Sequence, residues 1–193
     1  MDSISFNKNG GRMKTWFTSD FHLGHAKIIG YTNRPFNSLD EMDSTIINNF
    51  NSRVKEDDIV YYCGDFCFKY APHESATAPK KAFEHYRSQL KCKNIIFIDG
   101  NHDERNGNKS DIESMVINHG GKRLFLTHNP KFAKKEFYWN ICGHTHGKYG
   151  KFIKLDTCSY IVDISVESWG YMPQDINQIN SEFQKWLRET KLL

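Results

Sequence analysis

Five short segments rich in aromatic and β-branched residues each end at side chains that bind metal ions well. Apolar runs of this length predict buried strands, so the polar side chains that follow them would lie at strand ends. The candidate ligands are Asp20, His22, Asp65, Asn101, His128, His144 and His146. They offer carboxylate, amide and imidazole groups but no thiolate, which predicts a site for divalent cations of intermediate softness.

The size of this set predicts two metal ions rather than one. A structural zinc ion takes four ligands, whereas a larger group of nitrogen and oxygen donors suits two divalent ions about 3.5–4 Å apart that share a carboxylate. In residues 143–147, glycines flank the histidine pair and would let backbone and substrate approach a crowded pair of ions. Manganese is the expected metal, and iron, nickel and zinc are also compatible with these donors.

The charge of such a centre indicates the class of substrate. Two divalent ions bring a charge of about +4, and Asp20 and Asp65 are the only formally negative residues among the candidate ligands. A centre with surplus positive charge binds anions and lowers the pKa of a bridging water molecule toward neutrality. Phosphate esters fit this field best, so we predict hydrolysis of a phosphoester.

The segments between the first three strands carry helical patterns. Ser38 and Glu41 have the spacing of a capping box, and they precede an apolar face that continues to Val54. A second helix is predicted within residues 83–90. A closing amphipathic helix is predicted to begin at Pro173, because proline is favoured in the first turn. Strands that alternate with helices predict an α/β fold with a parallel sheet, in which ligands gather outside the carboxyl ends of the strands.

Strand geometry suggests how the ligands converge. Alternate residues of an extended strand share one face and lie about 6.6–6.8 Å apart. The Asp-Phe-His and His-Thr-His segments are therefore each predicted to send two side chains into one space. Residues 152–155 and 160–165 have no helical pattern between them, which predicts mixed or antiparallel strands in the later part of the chain.

The composition is typical of one soluble domain. The chain has 193 residues, of which 38% are hydrophobic and 25% charged. We assign residues 1–13 to a polar tail and residues 14–193 to a single domain. No apolar stretch approaches the roughly 18 residues that span a bilayer, and the first residues lack the apolar core of a signal peptide, so no membrane association is expected. Five cysteines without a C-x-x-C pair predict reduced thiols and a cytoplasmic location.

The order of the motifs resembles that of the calcineurin-like metallophosphoesterase family. The matching blocks are D-F-H (20–22), G-D (64–65), G-N-H-D (100–103), T-H (127–128) and G-H-T-H (143–146). The segment DFHLGHAKII followed by NRPF is similar to a compact branch found in bacteria and their phages. The resemblance spans residues 15–169. It implies an α/β/β/α sandwich of mixed sheets with flanking helices, in the cytoplasm of a bacterium or of a phage-infected cell.

The resemblance also implies a role for each motif residue. One ion would be held by Asp20, His22 and His146, the other by Asn101, His128 and His144, with Asp65 bridging them. His102 is similar to the family's histidine that contacts the phosphate and protonates the leaving oxygen, with Asp103 orienting its ring. The implied reaction is in-line attack of a metal-bridging hydroxide on phosphorus, with phosphodiesters slightly preferred over phosphomonoesters.

Several residues near the motifs carry two interpretations. His25 would touch the substrate at the mouth of the site or serve as a polar anchor of its loop. Arg34 would clamp a phosphate or fix a loop ahead of a proline turn. Cys67 is interpreted as a small buried filler, although it would face the ions if its strand continued. Tyr149 and Trp169 are interpreted as packing residues, with walls of a substrate pocket as the alternative.

Two other functions would use the same fold differently. Some proteins of this family have become protein-binding scaffolds, usually with loss of metal ligands, whereas every expected ligand position is filled here. The other alternative is a nucleic-acid-binding module with structural ions. A net charge of +3 and lysines within residues 131–135 and 148–154 favour an anionic partner such as a nucleotide or nucleic acid. Substrate selection is expected to depend on the loops 71–78 and 129–137.

Overall fold

The computed structural model describes residues 13–68, 79–107 and 110–192. Residues 1–12 of the expected tail, and the loop 71–78, lie outside the described residues. The strands are β1 (Thr15–Thr18), β2 (Ile59–Cys63), β3 (Asn94–Ile98), β4 (Ser114–His119), β5 (Lys122–Thr127), β6 (Trp139–Cys142), β7 (Phe152–Asp156), β8 (Ser159–Asp163) and β9 (Gln174–Asp175). The helices are α1 (Ala26–Tyr31), α2 (Leu39–Arg53), α3 (Pro79–Gln89) and α4 (Ile176–Glu189). Within the described ranges, no helix has both the length and the apolar character needed to cross a membrane.

Two mixed sheets form the framework. The first has the strand order β3-β2-β1-β9, in which β1, β2 and β3 are parallel and β9 is antiparallel to β1. The second has the order β4-β5-β6-β8-β7, in which β5, β6 and β8 are parallel and the edge strands β4 and β7 are antiparallel to their neighbours. The predicted α/β class, with mixed sheets and flanking helices, is confirmed. The parallel pairing of the first three strands and the antiparallel pairing of later strands are confirmed as well.

The alternation of side chains along the strands divides the apolar core between the two faces of the first sheet. Trp16 and Tyr62 belong to a cluster that also contains buried residues of α1, α2 and α3. Phe17 and Cys63, the next residues along the same strands, belong to a second cluster shared with the second sheet and with α4. The first sheet is therefore covered on both faces, which leaves its strand ends as the accessible part.

The last helix begins later than the sequence pattern predicts. It starts at Ile176 rather than at Pro173, because Asp175 caps it. The Asp175 carboxylate accepts hydrogen bonds from the backbone N–H groups of Asn177 and Gln178, and the Gln178 side chain accepts from the Asp175 backbone N–H. This reciprocal pair is a capping box, and it satisfies N–H groups that have no partner within the helix.

Strand β4 and helix α1 are additional elements that the sequence pattern did not indicate. In β4 the apolar residues Met115, Val116 and Ile117 are consecutive, so the sequence does not alternate, although exposure alternates along the strand and Ile117 is buried. Helix α1 spans six residues, of which only Ile28 is buried, and is too short for a clear periodicity. Both elements depend on packing and pairing with neighbouring elements, because neither has a clear apolar pattern in its own sequence.

The carboxyl ends of the parallel strands of both sheets meet along one seam. Ser19, just beyond β1, pairs with Ser165, just beyond β8, in an isolated parallel bridge. The backbone N–H of Val166 donates to the carbonyl oxygen of Ser19 at 3.3 Å, and that of Gly143 donates to the carbonyl oxygen of His128 at 2.9 Å. Every candidate ligand follows a strand that ends at this seam, so the topology itself gathers them.

The packing of α4 on the second sheet predicts a large cost for removing Phe183. This ring is fully buried, and its centroid lies 5.5 Å from that of Trp139 and 4.8 Å from that of Tyr160. Phe183→Ala is expected to lower the free energy of unfolding, measured by urea denaturation, by about 3–5 kcal/mol because it leaves a cavity. Phe132→Ala, at a site that is 57% exposed, is the control and is expected to change it by less than about 0.5 kcal/mol. Equal effects of the two substitutions would contradict this assignment of the core.

Candidate metal centre

The candidate ligands reach the seam through left-handed backbone turns. Eight non-glycine residues among the described ones have positive φ, and five of them are candidate ligands: Asp20 (59°), His22 (50°), Asp65 (58°), His144 (72°) and His146 (50°). The predicted extended backbone at these pairs is therefore wrong, because β1 and β6 end before the pairs begin. The predicted convergence of Asp20 and His22 is nevertheless observed. A non-glycine residue in this region costs about 1–3 kcal/mol, and such residues cluster at functional sites.

The first set of ligand atoms, termed group A, consists of Asp20, His22 and His146. Asp20 Oδ1 lies 3.8 Å from His22 Nε2 and 3.7 Å from His146 Nε2. Asp20 and His22 are both buried. Asp20 Oδ1 and His22 Nε2 have no hydrogen-bond partner among the described residues. Buried polar atoms without a partner are costly, so this pair of atoms fits a cation held between them.

The second set, termed group B, consists of Asp20, Asp65 and His128. Asp65 Oδ2 lies 3.4 Å from His128 Nε2 and 3.5 Å from His22 Nε2. Asp20 thus belongs to both groups, and Asp65 faces a histidine of each.

Further donors meet at His128 Nε2. Asn101 Oδ1 lies 3.0 Å and His144 Nδ1 lies 3.2 Å from this atom. On the other side of the ring, His128 Nδ1 lies 2.8 Å from the carbonyl oxygen of Cys63, and this nitrogen carries a proton because a carbonyl oxygen only accepts. In the neutral ring, Nε2 then presents a lone pair to the Asn101 oxygen, which is also an acceptor. A cation shared by these donors would remove that conflict.

The carboxylates make the site attractive to positive charge. Burial would raise the pKa of Asp20 and of Asp65, but the neighbouring histidines outweigh burial and hold both pKa values below the usual range. Burial would lower the pKa of His128, yet its hydrogen bond to Asp65 and the charge of Asp20 raise this pKa to about 9. Carboxylates that stay ionised when buried attract a cation, and a bound ion would replace the proton that His128 holds in its absence.

Glu167 orients His146, and sequence reasoning missed it. His146 Nδ1 donates to Glu167 Oε1 at 2.8 Å, which leaves Nε2 facing Asp20. Burial would raise the pKa of Glu167, but His146 and Arg34 lower it below its usual value. A carboxylate behind a ligating histidine fixes the tautomer and makes the ligand nitrogen more basic. No local pattern marks Glu167, because it lies in a short 3-10 turn, Val166–Trp169.

Arg34 is a buried anchor of the site. Its side chain is 0% exposed, and its guanidinium donates to the carbonyl oxygens of Asp20 and Phe21, each at 2.7 Å. Its Nε and Nη2 also donate to Glu167 Oε1, at 2.9 and 2.7 Å. Of the two sequence interpretations, the structure supports the loop anchor. The guanidinium is enclosed by protein acceptors, so Arg34 is not placed as a substrate contact.

Asp163 holds the histidine-rich loop, residues 143–147. Thr145 Oγ1 and the backbone N–H of Gly147 donate to Asp163 Oδ2, and the N–H of Ser165 donates to Asp163 Oδ1. Asp163 is the last residue of β8, a fully buried strand. It therefore follows an apolar run just as the candidate ligands do, and the same signal could have identified it.

Gly143 permits the close approach that the ligands need. A Cβ atom at this position would collide with the Asp20 carboxylate and with the Ser19 side chain. The next residue, His144, donates its backbone N–H to Asp20 Oδ2 at 3.0 Å. A larger side chain at position 143 would separate the two loops and break this hydrogen bond.

His102 and Asp103 belong to a loop that is tied to Asp65. The backbone N–H of His102 donates to Asp65 Oδ1 at 3.0 Å, and its ring centroid lies 5.8 Å from that of His22. Asp103 Oδ2 accepts hydrogen bonds from the backbone N–H groups of Asp65 and Gly100, each at 2.8 Å. Asp103 thus holds the loop that carries Asp65, and its role in orienting the His102 ring stays a prediction.

His25 and Cys67 lie beside the metal centre. The His25 ring stacks on Phe68 with centroids 4.2 Å apart, and its Nδ1 has no hydrogen-bond partner among the described residues. A contact between His25 and substrate stays a prediction. Cys67 is 3% exposed and lies in the cluster that contains α1, α2 and α3. Burial raises the pKa of its thiol, in agreement with its interpretation as a buried filler.

Glu167→Gln is expected to weaken metal binding at group A. The variant keeps the size of the side chain but loses the charge that pairs with Arg34 and polarises His146. The affinity for Mn²⁺ should therefore fall about 10- to 100-fold, as measured by calorimetry on metal-stripped protein. Glu182→Gln is the control, because it removes ion pairs to Lys151 and Lys185 away from the site. Unchanged Mn²⁺ affinity in folded Glu167→Gln would contradict the role given to Glu167.

Known proteins resemble this chain in sequence and in fold. The family model described as calcineurin-like phosphoesterase matches residues 13–192. The chain is 34% identical over 180 residues to an uncharacterized protein of Methanocaldococcus jannaschii, a match that covers 89% of this chain and 92% of that protein. The fold is similar to that of a protein of unknown function from Aquifex aeolicus, with a TM-score of 0.63, 21% identity, and coverage of 88% of this chain and 99% of that chain. The chain therefore belongs to the calcineurin-like phosphoesterase family and is a metallophosphoesterase.

Proposed function

We propose that this metallophosphoesterase binds two divalent ions at groups A and B and hydrolyses phosphodiesters in preference to phosphomonoesters. One observation carries the proposal: the two ligand groups share a carboxylate. Asp20 belongs to both groups, and Asp65 Oδ2 lies within 3.5 Å of a histidine nitrogen from each. Paired ions that share ligands are suited to phosphoester hydrolysis, where charge develops on both the attacking and the leaving oxygen.

The ligands divide between the two ions according to their positions. One ion would be held at group A by Asp20, His22 and His146. The other would be held by His128 of group B together with Asn101 and His144, whose donor atoms lie within 3.2 Å of His128 Nε2, with Asp65 between the two ions. When bound, the ions supply Lewis acidity toward water and toward the phosphoryl oxygens. Because the donors are nitrogen and oxygen atoms, we propose manganese as the native metal, with iron, nickel or zinc as alternatives.

The surrounding charges support an anionic substrate. Glu167 adds a negative charge beside group A, but its ion pair with Arg34, at 2.7 Å, compensates that charge within the protein. Against a charge of about +4 from two divalent ions, Asp20 and Asp65 leave a surplus. A phosphodiester at the seam carries one negative charge and would offset part of this surplus.

Two cavities beside the ligand groups support a diester. One cavity, of about 530 Å³, is lined in part by His144 and His146, and the other, of about 460 Å³, is lined in part by Asn101 and His128. They share no lining residue, so each can receive one ester arm of a phosphodiester whose phosphate lies between them. A phosphomonoester would occupy at most one of them.

His102 is proposed as the proton donor to the leaving oxygen. Its side chain is exposed, while the hydrogen bond from its backbone N–H to Asp65 Oδ1 fixes its position beside the ligands. A histidine at the edge of the centre can contact the phosphate and transfer a proton without binding a metal itself.

We also propose a cytoplasmic location for the protein. All five cysteines are free, and four of them are buried. Free thiols persist in a reducing compartment, which supports the cytoplasm over an oxidising environment.

Metal content and turnover together test the proposed function. Metal-stripped protein titrated with Mn²⁺ is expected to bind two ions per chain and to hydrolyse bis(p-nitrophenyl) phosphate faster than p-nitrophenyl phosphate. Asp65→Asn is expected to lower both metal affinity and turnover by more than about tenfold, since it removes a charge next to both ions. Asp175→Asn is the control, because asparagine is an equally good helix cap outside the site. One ion bound at full activity would contradict the binuclear proposal, and no turnover with any divalent metal would contradict the function.

The proton-donor role of His102 predicts a dependence on the leaving group. His102→Ala should reduce turnover of alkyl phosphodiesters, whose leaving oxygen needs a proton, by about 10²- to 10⁴-fold. It should affect esters of p-nitrophenolate far less, because that group departs as an anion. His85→Ala, on the exposed side of α3, is the matched control in both assays. Equal losses for both leaving groups would remove the proton-donor role.

A further inference from the structure

The cavity beside His144 and His146 contains groups that metal binding does not explain. Its wall includes Tyr31 and Tyr149, which are 70% and 61% exposed. Tyrosine side chains are on average partly buried, yet these two leave most of their surface open next to the proposed phosphate site. Two accessible rings at one cavity indicate a ligand with a flat apolar face.

The backbone places both rings at loops of the metal centre. Tyr149 follows the histidine-rich loop in a turn closed by two hydrogen bonds, from Lys148 N–H to the Thr145 carbonyl at 2.9 Å and from Gly150 N–H to the Gly147 carbonyl at 3.0 Å. Tyr31 is the last residue of α1, the helix that begins directly after the first ligand loop. The backbone at both tyrosines therefore has a defined position relative to the ligands.

The charge of this cavity differs from that of its counterpart. Lys148 lines it, with Nζ 5.3 Å from the centroid of the Tyr149 ring, and no acidic side chain is among its described lining residues. The wall of the cavity beside Asn101 carries two acidic residues, Asp99 and Glu113, and two lysines, Lys131 and Lys134, so its charges offset one another. A cation beside open aromatic rings suits a group that combines a planar ring with negative charge.

We propose that this cavity binds the nucleoside arm of a nucleotide phosphodiester, with the base stacked on Tyr31 and Tyr149 and Lys148 close to the phosphate charge. The proposal rests on the proposed function, because the scissile phosphate would lie at groups A and B. Any base can stack on an aromatic side chain, because every base has a π face. The volume of about 530 Å³ lies within the range of about 300–1,000 Å³ typical of small-molecule sites.

Two substrates with the same leaving group test this site. Thymidine 5′-(p-nitrophenyl phosphate) carries a base, whereas methyl p-nitrophenyl phosphate does not. In the Mn²⁺-loaded enzyme, the double variant Tyr31→Ser/Tyr149→Ser is expected to lower kcat/KM for the thymidine ester at least about tenfold, mainly through KM, and to leave the methyl ester unchanged. The double variant Tyr31→Phe/Tyr149→Phe should retain the preference for the thymidine ester, since it keeps the rings. Tyr138→Ser, at a ring that is 38% exposed and does not line the cavity, is the surface control.

The outcomes separate this inference from the proposed function. Hydrolysis of both esters with no change in the serine double variant would overturn the nucleoside site and leave the phosphodiesterase function standing. Equal losses for both esters would also overturn it, because the nitrophenyl ring rather than the base would then occupy the cavity. If the metal-loaded wild-type protein cleaved neither ester, the proposed function itself would fail.

Discussion

Two buried carboxylates among imidazole nitrogens impose the constraint on which the rest of the site depends. Asp20 and Asp65 remain ionised although burial opposes their charge. One oxygen of each accepts backbone N–H hydrogen bonds, and the other, Asp20 Oδ1 or Asp65 Oδ2, faces histidine Nε2 atoms. Such a set of groups is unfavourable unless positive charge lies among them. The fold must therefore hold in place an arrangement that these side chains would not adopt by themselves. The left-handed backbone at five candidate ligands adds about 1–3 kcal/mol of local cost at each position.

The support for this arrangement comes from polar groups that touch no candidate substrate. Arg34 links the loop after β1 to Glu167, and Glu167 holds one ligand histidine. Asp163 holds the histidine-rich loop, and Asp103 holds the loop after β2. Each of these buried charged groups makes several hydrogen bonds, as required where solvent cannot satisfy them. Loops that would be mobile by themselves are in this way fixed to within hydrogen-bonding distances of the ligands.

Much of the fold and of the ligand set could be predicted because both leave local signals in the sequence. Apolar runs that end at Asp20, Asp65 or His128 indicate strand ends, and parallel strands bring such ends together. The remainder depends on contacts between distant residues. No pattern around Arg34 distinguishes a buried anchor from a phosphate clamp, because the choice is made by Glu167, far along the chain. The left-handed turns also escaped prediction, since aspartate and histidine are compatible with extended backbone as well.

The bridge between Ser19 and Ser165 has a consequence for how the molecule holds together. It joins two sheets that contribute different ligands to each group: Asp20 comes from the first sheet, and His128 and His146 come from the second. An ion bound here would link the two sheets. A ligand that binds only the native state, at a concentration 100 times its dissociation constant, stabilises that state by about 2.7 kcal/mol. Resistance to heat and proteolysis should therefore rise and fall with the supply of divalent metal. Both sheets must be formed before either group has all of its ligands, so metal binding is coupled to folding.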